Sequence, residues 1–122
     1  MAMREIKRHW VDGGAMTDEL TLSAVDSPGP GGANHHYYVG INEERDLDIH
    51  FQKGAIKEAG VNGVTNEVLL AIVLDRLEGF ARGPFDCAEN RLAHGHILLG
   101  LEALQARTRN RIERGVEGQN VA

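Results

Sequence analysis

The sequence predicts an α+β fold, with a small, mostly antiparallel N-terminal β-sheet followed by a long antiparallel two-helix hairpin. Three observations predict it. Apolar and polar residues alternate with period two through the first half, the period becomes helical from Val61, and Gly83-Pro84 cuts the helical part in two. A length of 122 residues suits one domain, 1–122, with a strand-rich part over 1–60, the hairpin over 61–118 and a flexible tail at 119–122.

The strands come first. Residues 19–25 and 46–51 alternate apolar with polar, as strands with one buried face do, and Tyr37-Tyr38-Val39-Gly40-Ile41 and residues 6–11 carry β-favouring side chains. Asp12-Gly13-Gly14 and the Pro/Gly-rich run at 27–33 separate them as turn and loop. In the second half Thr65-Asn66-Glu67 supplies capping residues. Val68, Leu69, Ile72, Val73, Leu77 and Phe80 then recur at helical spacing up to Gly83-Pro84. Asp86 is placed to cap a second helix whose apolar seam is Leu98, Leu101, Leu104 and Ile112 and which ends at Gly115. So short a connection makes the two helices antiparallel neighbours. Gly79, Gly95 and Gly100 fall inside them, at about 0.5–1 kcal/mol each relative to alanine, which implies close approach of either a neighbouring element or a ligand.

Composition narrows the function. Hydrophobic residues make up 42% and charged residues 25%, values at which a chain folds. A net charge of −5 argues against a general DNA or RNA binder and against an anionic membrane surface, and aromatics at 5% leave no large cofactor box, so no cofactor is expected. The single cysteine, Cys87, rules out an intrachain disulfide, a four-cysteine zinc site and a two-cysteine redox motif. Without an apolar N-terminal segment or a run long enough to span a bilayer, the expected location is cytoplasmic.

The residues with the clearest chemistry lie at the end of the second helix. At about 100° per residue, Arg107, Arg111 and Arg114 share one helical face, a stripe that suits either an anion held by bidentate guanidinium forks or a solvated helix C-terminus. The 20 residues from 103 to 122 hold four arginines against two acids, a local +2 inside an acidic chain. Asn90 and Phe80 sit instead at the connecting end of the hairpin, and each by itself reads equally as cap or core. Seventeen residues separate Asn90 from Arg107, roughly 25 Å of helix, so one hairpin cannot close both on one small ligand. Two hairpins packed antiparallel about a two-fold axis can, and they would form two equivalent interface pockets.

Other motifs carry less. His94 and His96 lie about 200° apart on a helix, His35 and His36 point to opposite faces of extended chain, and no metal site is expected. Cys87 has no adjacent base, the two Gly-rich runs lack a phosphate-binding context, and the acidic run at 43–48 lacks a partner for a catalytic dyad. No catalytic residue is expected.

Three blocks resemble one family. They are residues 51–67 (Phe51-Gln52-Lys53-Gly54 through Asn62-Gly63-Val64-Thr65-Asn66-Glu67) with Asp75-Arg76-Leu77-Glu78-Gly79-Phe80, then Gly83-Pro84-Phe85-Asp86-Cys87-Ala88-Glu89-Asn90, and finally residues 107–118. Together they resemble the phage-encoded Thoeris anti-defence sponges. The hairpin is shared with anti-CBASS cyclic-nucleotide sponges, and the strand-rich front, including Gly32-Ala33-Asn34-His35-His36-Tyr37-Tyr38, points to the Thoeris branch. The resemblance is least close at 27–33 and at Ala81-Arg82.

It implies a phage protein in the host cytosol that sequesters cyclic ADP-ribose isomers without cleaving them, as a homodimer able to assemble into a hexamer, with cyclic trinucleotides held at separate sites in hexameric members. It further implies that Phe80 stacks on adenine, Asn90 bonds the base or ribose, and Arg107 and Arg111 grip the diphosphate, with Arg114 beside them. Two other functions compete: a structural or partner-binding helical hairpin, and a hydrolase of the same nucleotide, for which the sequence offers no activated nucleophile or paired carboxylate.

Overall fold

The computed structural model describes residues 3–16 and 19–122. The expected strand-rich part includes residues 1–2 and 17–18, which lie outside the described residues. The elements are β1 (Arg4–Ile6), β2 (Thr21–Ala24), β3 (His36–Asn42), β4 (Arg45–His50), α1 (Ile56–Ala59), α2 (Asn66–Ala81) and α3 (Ala88–Glu113). They form two compact units, residues 1–64 and 65–122. The α+β fold with an N-terminal antiparallel sheet and a helical hairpin is as the periodicities predict.

In the first unit the strands pair antiparallel in chain order, β1-β2-β3-β4. Leu22 faces Val39 and Val39 faces Leu47 across the sheet, and Ala24, 1% exposed, is its buried centre. Gly40 opposes Thr21, whose Oγ1 occupies the space a Cβ would need. The first strand differs from expectation: it ends at Ile6 instead of running over 6–11. The Trp10 amide bonds the Lys7 carbonyl at 3.0 Å and the Lys7 ammonium sits 4.7 Å from the Trp10 ring centroid, so the chain turns where a strand would continue. The loop at 27–33 holds one 3-10 turn, Pro30–Gly32, with Gly31 at φ +77°.

The segment after β4 closes on itself. Phe51 makes a parallel bridge to Val64. The Gln52 amide donates to the Gly60 carbonyl at 2.8 Å and its oxygen accepts from the Asn62 amide nitrogen at 2.9 Å. Asn62 in turn bonds both the amide and the carbonyl of Lys53 at 2.8 Å. A Cβ on Gly63 would come within 2.6 Å of Gln52 N and His50 O, so only glycine fits. The short α1, invisible to periodicity, is one turn inside this loop.

The second unit is the hairpin. Thr65 caps α2 by accepting from the Val68 amide at 3.2 Å. Cys87, not the expected Asp86, is the N-cap of α3, and no side chain caps it. The Asp86 carboxylate accepts instead from the Arg91 guanidinium at 2.6 Å, a charge-assisted bond. Gly115 at φ +73° ends α3.

Between the helices Leu74 is buried, 6% exposed, and Leu69, Leu70, Leu77, Ile97, Leu101 and Leu104 are half-buried around it. The expected seam holds at Leu101 and Leu104, whereas Leu98 and Ile112 on α3 and Val68, Ile72 and Val73 on α2 are exposed. Antiparallel helices touch along stripes narrower than the apolar content of these two, and the remainder faces outward.

Candidate functional site

The connecting end of the hairpin carries an open cavity of about 290 Å³. Its surface is mainly apolar, with Leu77 and Ala81 of α2 on one side, and Glu78, Asp86, Asn90, Arg91 and His94 also line it. Glu78 and His94 face each other across the hairpin, His94 Nε2 to Glu78 Oε2 at 2.8 Å. Asn90, which lines the cavity, donates from Nδ2 to the Phe85 carbonyl at 3.4 Å. Phe80 is half-buried at the penultimate position of α2 and is not part of the cavity lining. The Arg76 guanidinium lies 5.5 Å from its ring centroid, an i, i+4 cation–π pair.

At the far end of α3 the arginines are not equivalent. Arg107 is exposed and has no hydrogen bond or ion pair among the described residues. Arg111 is 7% exposed, the only buried charged residue among those described. Its guanidinium donates to the carbonyls of Val116 (3.0 Å), Gln119 (2.8 Å) and Val121, with the Glu117 carboxylate 3.5 Å from Nε. Arg114 donates to the terminal Ala122 carbonyl oxygen. The chain beyond Gly115 therefore folds back onto two members of the stripe, Arg111 and Arg114, and leaves Arg107 open. Sequence periodicity finds the shared face and misses this, because backbone carbonyls carry no side-chain signature.

The unbroken α3 keeps Asn90 and Arg107 roughly 25 Å apart within one chain. Gly79, Gly95 and Gly100 have open space where a Cβ would stand, so within the chain they answer to no close neighbour, contrary to that expectation. Gly95 lies between Leu92 and Leu99, which are 65% and 64% exposed on the side of α3 away from α2.

In the first unit the Asp26 carboxylate accepts from the amides of His35 (3.0 Å) and His36 (3.2 Å) and from the Asn34 side chain (3.3 Å). Desolvation pushes its pKa up, but the His35, His36 and Asn34 hydrogen bonds together outweigh it and hold the carboxyl below its ordinary value. His36 stacks on His50 at 4.2 Å between ring centroids and bonds Asp48 at 2.7 Å. Among the described residues no group of three His, Cys, Asp or Glu could hold a metal ion, and no helix is long and apolar enough to cross a membrane.

No protein-family model matches the chain. It is 44% identical over 70 residues to a curated protein of Bacillus phage SBSphiJ7, Thoeris anti-defense 1. The match takes in 57% of this chain and 49% of that protein, so the chain spans about half the length of the curated relative it matches. This supports the family to which the three sequence blocks point.

Proposed function

We propose, from the chain's kinship with the phage Thoeris anti-defence family, that it is itself an anti-defence protein: a non-catalytic sponge that binds a cyclic nucleotide immune signal in the host cytosol and withholds it from its receptor. The ligand class is a cyclic ADP-ribose isomer, with a cyclic trinucleotide as a further ligand of a hexameric form. Phe80 stacks on the base, Asn90 bonds the base or ribose, and Arg107 meets the diphosphate first. Arg111 and Arg114 join it as phosphate oxygens replace the carbonyl oxygens they now hold.

The observation that carries this reading is the separation of polar groups along one straight helix. A ligand that reaches Asn90 and Arg107 together needs the arginine end of one hairpin beside the connecting end of another. An antiparallel homodimer supplies that arrangement twice, and the exposed Leu92, Gly95 and Leu99 face of α3 gives it an apolar contact surface. Guanidinium charge, base stacking and burial at the interface then slow release without any turnover.

The test is ligand depletion. The protein is mixed with a cyclic ADP-ribose isomer, free ligand is measured after filtration, and the complex is heat-denatured and chromatographed. Depletion followed by recovery of intact ligand is the expected result. A linear product would make the protein a hydrolase, and no depletion by any cyclic nucleotide would leave a structural hairpin.

A further inference from the structure

We infer that the outer edge of β4 is a strand-pairing surface for a second copy of this chain, and that Asp46 and Asp48 hold it closed by charge.

β4 is the last strand of the sheet, so one side of it has no neighbouring strand. Bonded and non-bonded pairs alternate along an antiparallel ladder, and the Phe51 amide donating to the His35 carbonyl at 2.7 Å sets the phase. Leu47 and Ile49 therefore bond inward to β3, while the main-chain groups of Asp46, Asp48 and His50 point outward. The His50 carbonyl accepts from the Val64 amide at 2.9 Å, and the Phe51–Val64 bridge covers the edge beyond it. Asp46 and Asp48 have no such cover among the described residues, and both are exposed. The open stretch, residues 45–49, is centred on Leu47.

A stretch of that shape can pair with itself. With a two-fold axis at Leu47, Asp46 of one copy stands opposite Asp48 of the other, and the outward N–H and C=O groups of both find partners. Leu47, 49% exposed on the apolar face beside Val39, would meet its own copy. The other face opposes the pairing. There each Asp46 carboxylate would face an Asp48 carboxylate at the ~5 Å Cβ spacing of cross-strand neighbours, where like charges repel. Sliding one strand by two residues sets Asp46 against Asp46, or Asp48 against Asp48, so the neighbouring registers offer no escape. Both carboxylates are held in place: Asp46 accepts from the Tyr38 hydroxyl at 2.9 Å and Asp48 lies 2.7 Å from His36 Nε2. Tyr38 feels both, its pKa raised first by the Asp46 hydrogen bond, then by desolvation and by the charges of Asp46 and Asp48. Charged side chains on an open edge are a known guard against edge-to-edge association, and here they are the one element that does not suit self-pairing.

Substitutions in the full chain separate charge from shape, read by size exclusion with light scattering and by amide hydrogen exchange at positions 46 and 48. Asp46→Asn with Asp48→Asn removes the charge and keeps an oxygen for the Tyr38 hydroxyl and for His36. It is expected to double the parent's mass and to slow exchange at both amides about tenfold or more. Asp48→Lys alone sets opposite charges across the edge and is expected to associate at lower concentration still; it also carries the test if the paired change to asparagine unsettles the sheet. Asp46→Lys with Asp48→Lys restores repulsion with the sign reversed and is expected to keep the parent's mass and exchange. Circular dichroism checks that each variant retains its strands. The inference is overturned if neither Asp46→Asn with Asp48→Asn nor Asp48→Lys changes mass and exchange, or if the paired change to lysine associates as they do. It is overturned too if the new protection extends to β1, which would mark pairing of β4 with the β1 of another copy. No ligand enters the experiment, so its outcome and that of cyclic ADP-ribose depletion are independent.

Discussion

The Arg111 guanidinium donates to the Gln119 carbonyl at 2.8 Å, across eight residues of chain that turn back at Gly115. With the Val116 and Val121 carbonyls on the same group, one side chain organises most of the segment after α3. Arg111→Ala is expected to release that segment at a cost of about 1–3 kcal/mol in local stability, given that bonds to a charged donor contribute more than neutral ones. Amide hydrogen exchange reads it directly: residues 116–121 should exchange faster while the rest of α3 stays protected. Arg111→Lys keeps the charge but lacks the planar fork, so it should restore only part of the protection. Unchanged exchange in Arg111→Ala would show that the segment is held by something else.

Arg107 is the contrasting case, exposed and without a partner among the described residues. Arg107→Ala should leave thermal stability within about 0.5 kcal/mol of the parent, as surface changes do. Depletion of a cyclic ADP-ribose isomer should fall more than about tenfold, the loss expected for removing a charge-assisted contact to phosphate. Retained depletion would refute the assignment of Arg107.

Leu74 is the single buried apolar residue among those described in the second unit, at 6% exposure. With so thin a core, Leu74→Ala should cost about 2–5 kcal/mol, read as a lower urea midpoint for loss of helical signal. A cost well under 1 kcal/mol would mean that contacts between copies, and not the α2–α3 seam, hold the hairpin.

Gly63 and Gly95 should respond in opposite ways. Gly63→Ala forces a methyl group against Gln52 N and His50 O and should destabilise the first unit by about 1–3 kcal/mol. Gly95→Leu meets open space within the chain, so helical content should hold or rise. Its bulk between Leu92 and Leu99 should nevertheless shift size-exclusion elution toward monomer if that face joins two copies. Unchanged elution would place the dimer contact elsewhere.

The Asp26 carboxyl gives the first unit an acid-side dependence. Its pKa in the folded chain lies below the ordinary 3.8, so the ionised form is favoured by folding. The stabilisation is complete above that ordinary value and is lost as pH falls through the lower folded one. Asp26→Asn should therefore flatten the acid limb of stability against pH and loosen the His35 and His36 amides in hydrogen exchange. An unchanged acid limb would assign it to other carboxylates.

Much of the fold was legible because it rests on local periodicity. Alternation located β2 and β4, and β-favouring side chains located β3; Thr65 and Gly115 marked the start of α2 and the end of α3. Local chemistry misled where a nearby group offered a different partner, as Arg91 does for Asp86, or where a turn cut a pattern short, as at Lys7 and Trp10. The arginine face was legible from spacing, and so was the distance that keeps Asn90 from Arg107. The Glu78–His94 pair, sixteen residues apart on two helices, was not, because neither residue signals the other until the hairpin closes.

The sequence by itself determined the two periodicities, the Gly-Pro break between the helices and the placement of three arginines on one face, since each follows from chain geometry over a few residues. Only the tertiary structure decided which of those arginines is open and which polar groups share a cavity. Arg111 is closed by backbone carbonyls, and Glu78 meets His94 by the register of α2 against α3. Both depend on where distant parts of the chain come to rest, and short-range pattern holds no record of that.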